Sequence, residues 1–262
     1  MSRARRGRER RGRPVPAPVS VRTEHALAEV IADPRRPSSR TLLLDGREAG
    51  EVDLGDPRRL GFAYMRRIAD LIDAFRPAGA GIDVLHVGGG ACALPRYVAA
   101  TRPASRQLVF ELDAGVVALA REQLGLRAGP RLRVKVGDAA DLIRARRDAS
   151  ADLVIGDAFD GPHVPARLSG PDFAAEVRRV LRPAGAYALN VIDIPPLEEV
   201  HAHDALVRAE FAHVAWVAPP GVLRARAPGN VVLLASAVPL PLAALERAAT
   251  AAVPRERVLV RS

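Results

Sequence analysis

The sequence predicts an α/β fold: a mostly parallel, seven-stranded sheet flanked by helices, with a small antiparallel β-subdomain ahead of it. Three observations carry that prediction. From Ile82 onward, short apolar runs alternate with helical stretches, the mark of a parallel sheet with crossover helices. The first of these runs leads straight into three consecutive glycines, Gly88-Gly89-Gly90. Of the 262 residues, 48% are apolar, enough to bury a full core.

The first segment stands apart. Seven of the residues between Met1 and Arg13 are arginine against the single acid Glu9, which is +6 of the net +9, so the remainder carries only +3. A basic arm of this density can bind RNA, DNA or an acidic membrane; the simpler expectation is a solvated, disordered tail over residues 1–20. The rest is not basic enough for a nucleic-acid enzyme. Residues 13–18 are Pro-rich and extended. No apolar run is long enough to span a bilayer, and the arginines are not followed by the apolar stretch of a signal peptide. One cysteine, Cys92, rules out an intramolecular disulfide. Together these predict a cytoplasmic protein that does not engage membranes.

Residues 21–56 carry strand-like runs at 26–32 and 41–44, broken by Asp33-Pro34 and by the hairpin signal Asp45-Gly46. Asp56-Pro57 predicts a helix start, since Asp caps well and Pro suits the first helical position. Leu60, Tyr64, Ile68, Leu71 and Phe75 follow at helical spacing as one buried stripe. The main domain then occupies residues 57–262. Its strands are expected at 84–87, 108–112, 132–136, 153–155, 187–191, 214–217 and 231–235. Its helices are expected near 94–101, 115–124, 140–145, 171–181 and 197–211. Seven strands with a Gly-rich first turn suit a Rossmann-like, methyltransferase-type sheet with a reversed last strand. Residues 240–262 read as one more helix and a short end.

The candidate chemistry lies at successive strand ends. Without Cβ atoms, Gly88, Gly89 and Gly90 let backbone N–H groups approach a ligand. Glu111 ends the next strand 23 residues beyond Gly88, where a carboxylate accepts from both ribose hydroxyls of a nucleotide. Asp113 shares its strand face or, more simply, caps the next helix. Asp138, followed by Ala139, is placed to accept from an exocyclic adenine amine, or to cap a helix. These positions together predict an adenosine site. Asp157 and Asp160, three apart after the fourth strand, would orient and deprotonate an amine or cap a turn. Asp193 is a third acid on that rim and faces the acceptor on this reading. His201 and His203, two apart on a helix, point to different faces, so no metal site is expected there.

This order of motifs resembles the spermidine synthase (polyamine aminopropyltransferase) family, within the S-adenosylmethionine-dependent methyltransferase superfamily. Leu42-Leu43-Leu44-Asp45-Gly46 is similar to its N-terminal β-domain signature, and Val87-Gly88-Gly89-Gly90 to its nucleotide turn. Phe110-Glu111-Leu112-Asp113 is similar to its ribose-binding strand end, and Gly137-Asp138-Ala139 to its adenine loop. Asp157 and Asp160 resemble its Asp-x-x-Asp element, whose first acid is the catalytic base, and Tyr64 falls where a substrate-contacting Tyr is expected. The likeness spans about residues 25–236. It implies catalytic Asp157, Asp160 and Tyr64, with Gly88, Gly89, Gly90, Glu111, Asp138 and Ala139 around the donor. That donor is decarboxylated S-adenosylmethionine or S-adenosylmethionine itself, without a metal. The acceptor is a small amine or other nucleophile, and the assembly is a homodimer.

Some positions depart from the pattern. Ala91 replaces the acid after the glycines that holds the donor's aminopropyl ammonium, and Ala158-Phe159 replace two hydroxyl residues between the acids. The Gln expected after Asp45-Gly46 is missing, Met65 replaces a polar residue, and Ala227-Pro228-Gly229 stands where a Tyr-containing proline turn is expected. The adenosine half of the pattern is kept and the polyamine half is altered. Aminopropyl transfer is therefore the first reading. Methyl transfer to another acceptor is the second, and a non-catalytic nucleotide-binding homologue the third.

Overall fold

The computed structural model describes residues 16–261, so the arginine-rich run of residues 1–13 lies outside the described residues. A four-stranded antiparallel sheet comes first: β1 (Val19–Arg22), β2 (Leu27–Asp33), β3 (Arg36–Leu44) and β4 (Arg47–Asp53). The tail boundary drawn after residue 20 therefore falls inside β1, which pairs with β2 from Val19 onward. Asp45-Gly46 makes the expected hairpin turn between β3 and β4, with both residues at positive φ. This sheet shares a core with the larger domain. Ala28, Val30, Leu42 and Val52 pack in one cluster with Met65, Ile68, Leu94 and Val98.

Helix α1 (Ala63–Phe75) starts six residues later than the Asp56-Pro57 signal predicts. The local cap lost to tertiary contacts. Asp53 accepts from the N–H groups of Gly55 and Asp56, and Asp56 from that of Arg58, so these acids close turns. Leu60, expected as the first residue of the helical stripe, instead forms a β-bridge with Val52 and is buried there. At the other end of α1, the buried Arg102 guanidinium donates to the carbonyls of Ile72, Asp73, Arg76, Pro77 and Ala80. The carbonyls of Ile72, Asp73 and Arg76 are among those a helix end leaves unpaired, those of Pro77 and Ala80 belong to the turn that follows, and a cation there also suits the helix dipole. The helix that carries Tyr64 is thus held at both ends.

The main sheet has eight strands, in the order β12-β10-β11-β9-β8-β5-β6-β7. These are β5 (Asp83–Val87), β6 (Arg106–Glu111), β7 (Leu132–Val136), β8 (Ala151–Gly156), β9 (Leu181–Asp193), β10 (His213–Ala218), β11 (Gly229–Ser236) and β12 (Arg257–Arg261). The five from β5 to β9 are parallel, and β11 runs antiparallel to both its neighbours, the expected reversal. The eighth strand, β12, corrects the seven-strand expectation; it pairs antiparallel with β10. Helices α2 (Ala93–Thr101), α3 (Ala114–Glu122), α4 (Ala139–Arg144), α5 (Pro171–Val180), α6 (Glu198–Glu210) and α8 (Leu242–Ala251) lie close to their predicted positions. The four-residue α7 (Pro220–Leu223) was not expected.

Alternate strand residues feed two cores. Leu153 and Ile155 face α1, α2 and α8, while Val154 faces α4, α5 and α6. Burial on both faces explains why these strands read as apolar runs. Among the described residues, no helix is long and apolar enough to cross a membrane.

Candidate active site

The carboxyl ends of β5, β6, β7 and β8 open into one cleft of about 1420 Å³, closed on its far side by α1 and the β3–β4 hairpin. Open α/β sheets bind ligands at this edge. Every residue expected at the donor and base positions lines it: Gly88, Gly89, Gly90, Glu111, Asp138, Ala139, Tyr64, Asp157 and Asp160.

The glycine turn is shaped by close approach. Gly88 has φ +93°, and a Cβ there would lie 2.3 Å from the carbonyl oxygen of Asp157. Gly90 also has positive φ, at +47°. The turn and the end of β6 are tied together by Glu111. Its Oε2 accepts from the N–H groups of Gly89 at 2.8 Å and Gly90 at 2.9 Å, and its Oε1 accepts from Asp113 at 3.0 Å. A carboxylate has about four lone-pair positions and three are taken here, so Glu111 keeps one, on Oε1, for a hydroxyl in the cleft.

Asp113 is the helix cap. Its Oδ1 accepts from Gly115 and Val116 at the start of α3, and its Oδ2 from the Thr23 hydroxyl of the loop after β1. Burial opposes its charge, but hydrogen bonds from Thr23, Gly115, Val116 and His25 outweigh it and hold the carboxyl below the usual range. Asp138 also caps a helix, α4, through Ala140 N–H at 2.8 Å, while its Oδ2 accepts from Arg167 at 2.6 Å. In the same cleft Leu112 is 51% exposed, an apolar face fit to stack against a planar base.

Asp157 sits at the floor, where β8 ends. Asn190 Nδ2 donates to its Oδ1 at 2.9 Å and the Tyr64 hydroxyl to its Oδ2 at 2.9 Å. Burial raises its pKa to about 6 even though both hydrogen bonds pull the other way. The Tyr64 phenol is pushed well up by burial and by the neighbouring carboxylate. Asp160 has a different setting: it is exposed, and its backbone makes a β-bridge with His163.

One expected residue lies elsewhere. Asp193 does not line the cleft. It is buried and accepts from Ile194 and Val200 N–H, which fixes the start of α6. His201 stacks edge-on against Trp216 at 5.2 Å while His203 is buried, so the two rings do part company. Ala91 explains one departure from the motif. It is 2% exposed, and a Cβ on Gly50 of β4 would lie 2.6 Å from the Ala91 Cβ. The hairpin backbone fills the space that a longer residue 91 would need.

Sequence reasoning missed Asn190 and Asn230. Asn190 is a fully buried amide in the middle of an apolar strand, and that isolated polar residue was the available signal. Asn230 Nδ2 donates to Asn190 Oδ1 at 3.0 Å from β11.

Comparison with known proteins bears on the family and the fold. Residues 61–220 match the spermine/spermidine synthase domain. A polyamine aminopropyltransferase of Aeropyrum pernix is 31% identical over 140 residues, covering 50% of this chain and 43% of the relative. The chain spans about half the length of the curated relatives it matches. A crystal structure of a probable spermidine synthase from Corynebacterium glutamicum superposes with a TM-score of 0.86 at 30% identity, covering 93% of this chain and 90% of that one. Human methyltransferase-like protein 13 in complex with SAH shares the fold, with a TM-score of 0.59 at 21% identity over 71% of this chain and 92% of that one. The matched domain covers more than half of the 262 residues, and the chain belongs to the spermine/spermidine synthase family.

Proposed function

We propose that this chain is a transferase that moves an aminopropyl group from an S-adenosyl sulfonium donor to a small amine. The observation that carries the reading is Asp157, held at the cleft floor by Tyr64 and Asn190 with a pKa of about 6. A general base serves best when its pKa lies near the working pH. The donor half of the cleft has the groups an adenosine needs: Glu111 for ribose hydroxyls, Asp138 and the Ala139 backbone for the base edge, and Leu112 for its face. Gly88 and Gly90 leave the turn without Cβ atoms where the donor's chain would pass.

The sulfonium carbon supplies the electrophile, so the chain's task is alignment and removal of one proton. Asp157 takes that proton as the acceptor nitrogen forms its bond to carbon and the sulfur leaves as a thioether. Tyr64 orients the carboxylate, and the exposed Asp160 meets the distal ammonium at the mouth. The reading carries with it a cytoplasmic homodimer, which light scattering on the full chain checks.

Methyl transfer takes its support from Ala91. With the hairpin packed against that position, no acid there holds an aminopropyl ammonium. Calorimetry with decarboxylated S-adenosylmethionine, S-adenosylmethionine and methylthioadenosine in parallel tests the assignment. Preference for the decarboxylated donor supports aminopropyl transfer and preference for the carboxylated one supports methyl transfer. Heat from none of the three overturns both.

A further inference from the structure

An ionised carboxylate only accepts hydrogen bonds, and this fixes the polarity of the amides behind Asp157. Asn190 must turn its nitrogen towards Asp157 Oδ1, 2.9 Å away. Its oxygen then faces Asn230, which must donate, as it does at 3.0 Å. Amide oxygen and nitrogen are alike in shape and opposite in hydrogen bonding, so the order Asn230 to Asn190 to Asp157 runs one way while Asp157 is charged. Asn190 is 1% exposed. Asn230 is partly buried on the cleft wall, one strand away in β11.

The other oxygen of Asp157 is different. A hydroxyl donates or accepts according to its rotation, so Tyr64 can answer a proton on Oδ2 by turning. A proton on Oδ1 would have to take the lone pair that the Asn190 N–H leaves open and would weaken that oxygen as an acceptor, and the two amides cannot answer by turning unless both reverse.

We propose that Asn230 is a positioning residue: acting through Asn190, it makes Asp157 Oδ1 the less favourable oxygen for a proton and so favours Oδ2, on the Tyr64 side, as the oxygen that takes up the acceptor's proton. The inference rests on Asp157 being the base. In the step itself an N–H bond breaks and an O–H bond forms at Oδ2. The nitrogen pair forms the new C–N bond, and the C–S pair departs with sulfur. The groups acting directly on the Asp157 charge are Tyr64 of α1 and Asn190 of β9. Arg66 and Arg67 of α1, Glu111 of β6, Asp160 of the same loop and Glu256 ahead of β12 line the same cleft.

Carboxyl 13C NMR on the full chain, without substrate, reads the titration of Asp157 directly. Asn230→Asp keeps the shape of the amide but cannot donate to Asn190 when ionised, and it adds a negative charge. The Asp157 midpoint is expected to rise by about one pH unit in Asn230→Asp and by less in Asn230→Ala. The acid limb of kcat should move with it, while the acceptor KM changes less than about threefold. If Asn230→Ala fails to fold, the isosteric Asp variant carries the test. An unmoved Asp157 midpoint in a folded Asn230→Asp overturns the proposal. Failure of the reading it rests on looks different: if Asp157 is not the base, Asp157→Asn would turn over like the wild type, whatever the NMR titration shows.

Discussion

The Tyr64 hydroxyl donates to Asp157 Oδ2 at 2.9 Å, joining the first turn of α1 to the end of β8 across 93 residues of sequence. The contact joins two elements whose positions have separate causes. Arg102 and the Leu60 bridge fix α1, while Gly88 lets the backbone of β5 pass close beneath Asp157. A carboxylate held this way is oriented before a ligand arrives, which, if Asp157 is the base proposed above, is where positional catalysis would come from.

Asp157→Asn keeps the shape of the site and removes the proton acceptor. Turnover should fall by about 10²–10⁴-fold with donor affinity little changed. In the wild type, kcat/KM should rise through a limb near pH 6, the pKa to which burial pushes Asp157. It should rise again towards the acceptor amine's own pKa, near ~10. The variant should lose the lower limb and keep the upper one. A steady-state pH profile of both proteins decides; a lower limb that persists in the variant removes Asp157 as the base.

The same carboxyl affects stability, and His86 opposes it. Burial raises Asp157 to about 6, above its unfolded value, so its ionisation destabilises the fold as pH rises from about 4 to 6. Burial lowers His86 to about 4, below its unfolded value, so its contribution is complete above about 6.5 and lost as pH falls towards 4. Each shift of about two units is worth roughly 3 kcal/mol, and the signs are opposite. Across pH 4–6.5 the two nearly cancel in the wild type. Asp157→Asn should therefore lose stability on acidification more steeply than wild type, and His86→Gln less steeply. Urea denaturation at several pH values measures both slopes, and three parallel curves would reject the assignment.

Glu111→Ala should weaken binding of adenosine ligands by about ten- to a hundredfold, the cost of losing charge-assisted hydrogen bonds worth about 1.5–3 kcal/mol. It also frees the N–H groups of Gly89 and Gly90, which Glu111 holds at 2.8 and 2.9 Å. These groups face the cleft and can turn to solvent, so the melting temperature should change little. Calorimetry with methylthioadenosine checks the first point and thermal denaturation the second. Wild-type affinity in a folded variant would take Glu111 out of the site.

The sequence carried the parts of this architecture that rest on periodicity. The inner strands β5, β8, β9, β10 and β11 are largely buried and show as apolar runs, and the cleft-lining residues follow from their place at strand ends. Residue pairs set by register were not legible. Asn190 and Asn230 lie 40 residues apart and meet only because β9 and β11 pair antiparallel. The start of α1 was misplaced because Asp56-Pro57 is a good local signal that the Leu60–Val52 bridge overrides. The strand β12 was missed because a run as short as Val258-Leu259-Val260 gains its meaning only beside β10. Asp193 was credited to the cleft by its position on the rim, yet its carboxyl turns inward to α6.

Ala91 offers the last test, because restoring the family's acid there should not restore its function. The side chain of residue 91 points into the β4 hairpin: it is 2% exposed, and a Cβ on Gly50 would stand 2.6 Å from its own. An aspartate at this position must push β4 away or bury its charge against the hairpin backbone. Overpacking of this kind costs about 1–3 kcal/mol, and an unpaired buried carboxylate adds to that or becomes protonated. Ala91→Asp is therefore expected to lower the melting temperature by several degrees, with no gain in affinity for decarboxylated S-adenosylmethionine. Because β4 lies against the glycine turn at Gly90 through the Ala49 carbonyl, affinity for methylthioadenosine should fall as well. Thermal denaturation and calorimetry on the one variant measure all three. A stable Ala91→Asp that binds the decarboxylated donor more tightly would mean that the hairpin yields and that Ala91 alone sets the donor preference. The packing of Gly50 on Ala91 would then be a consequence of the substitution and not its constraint.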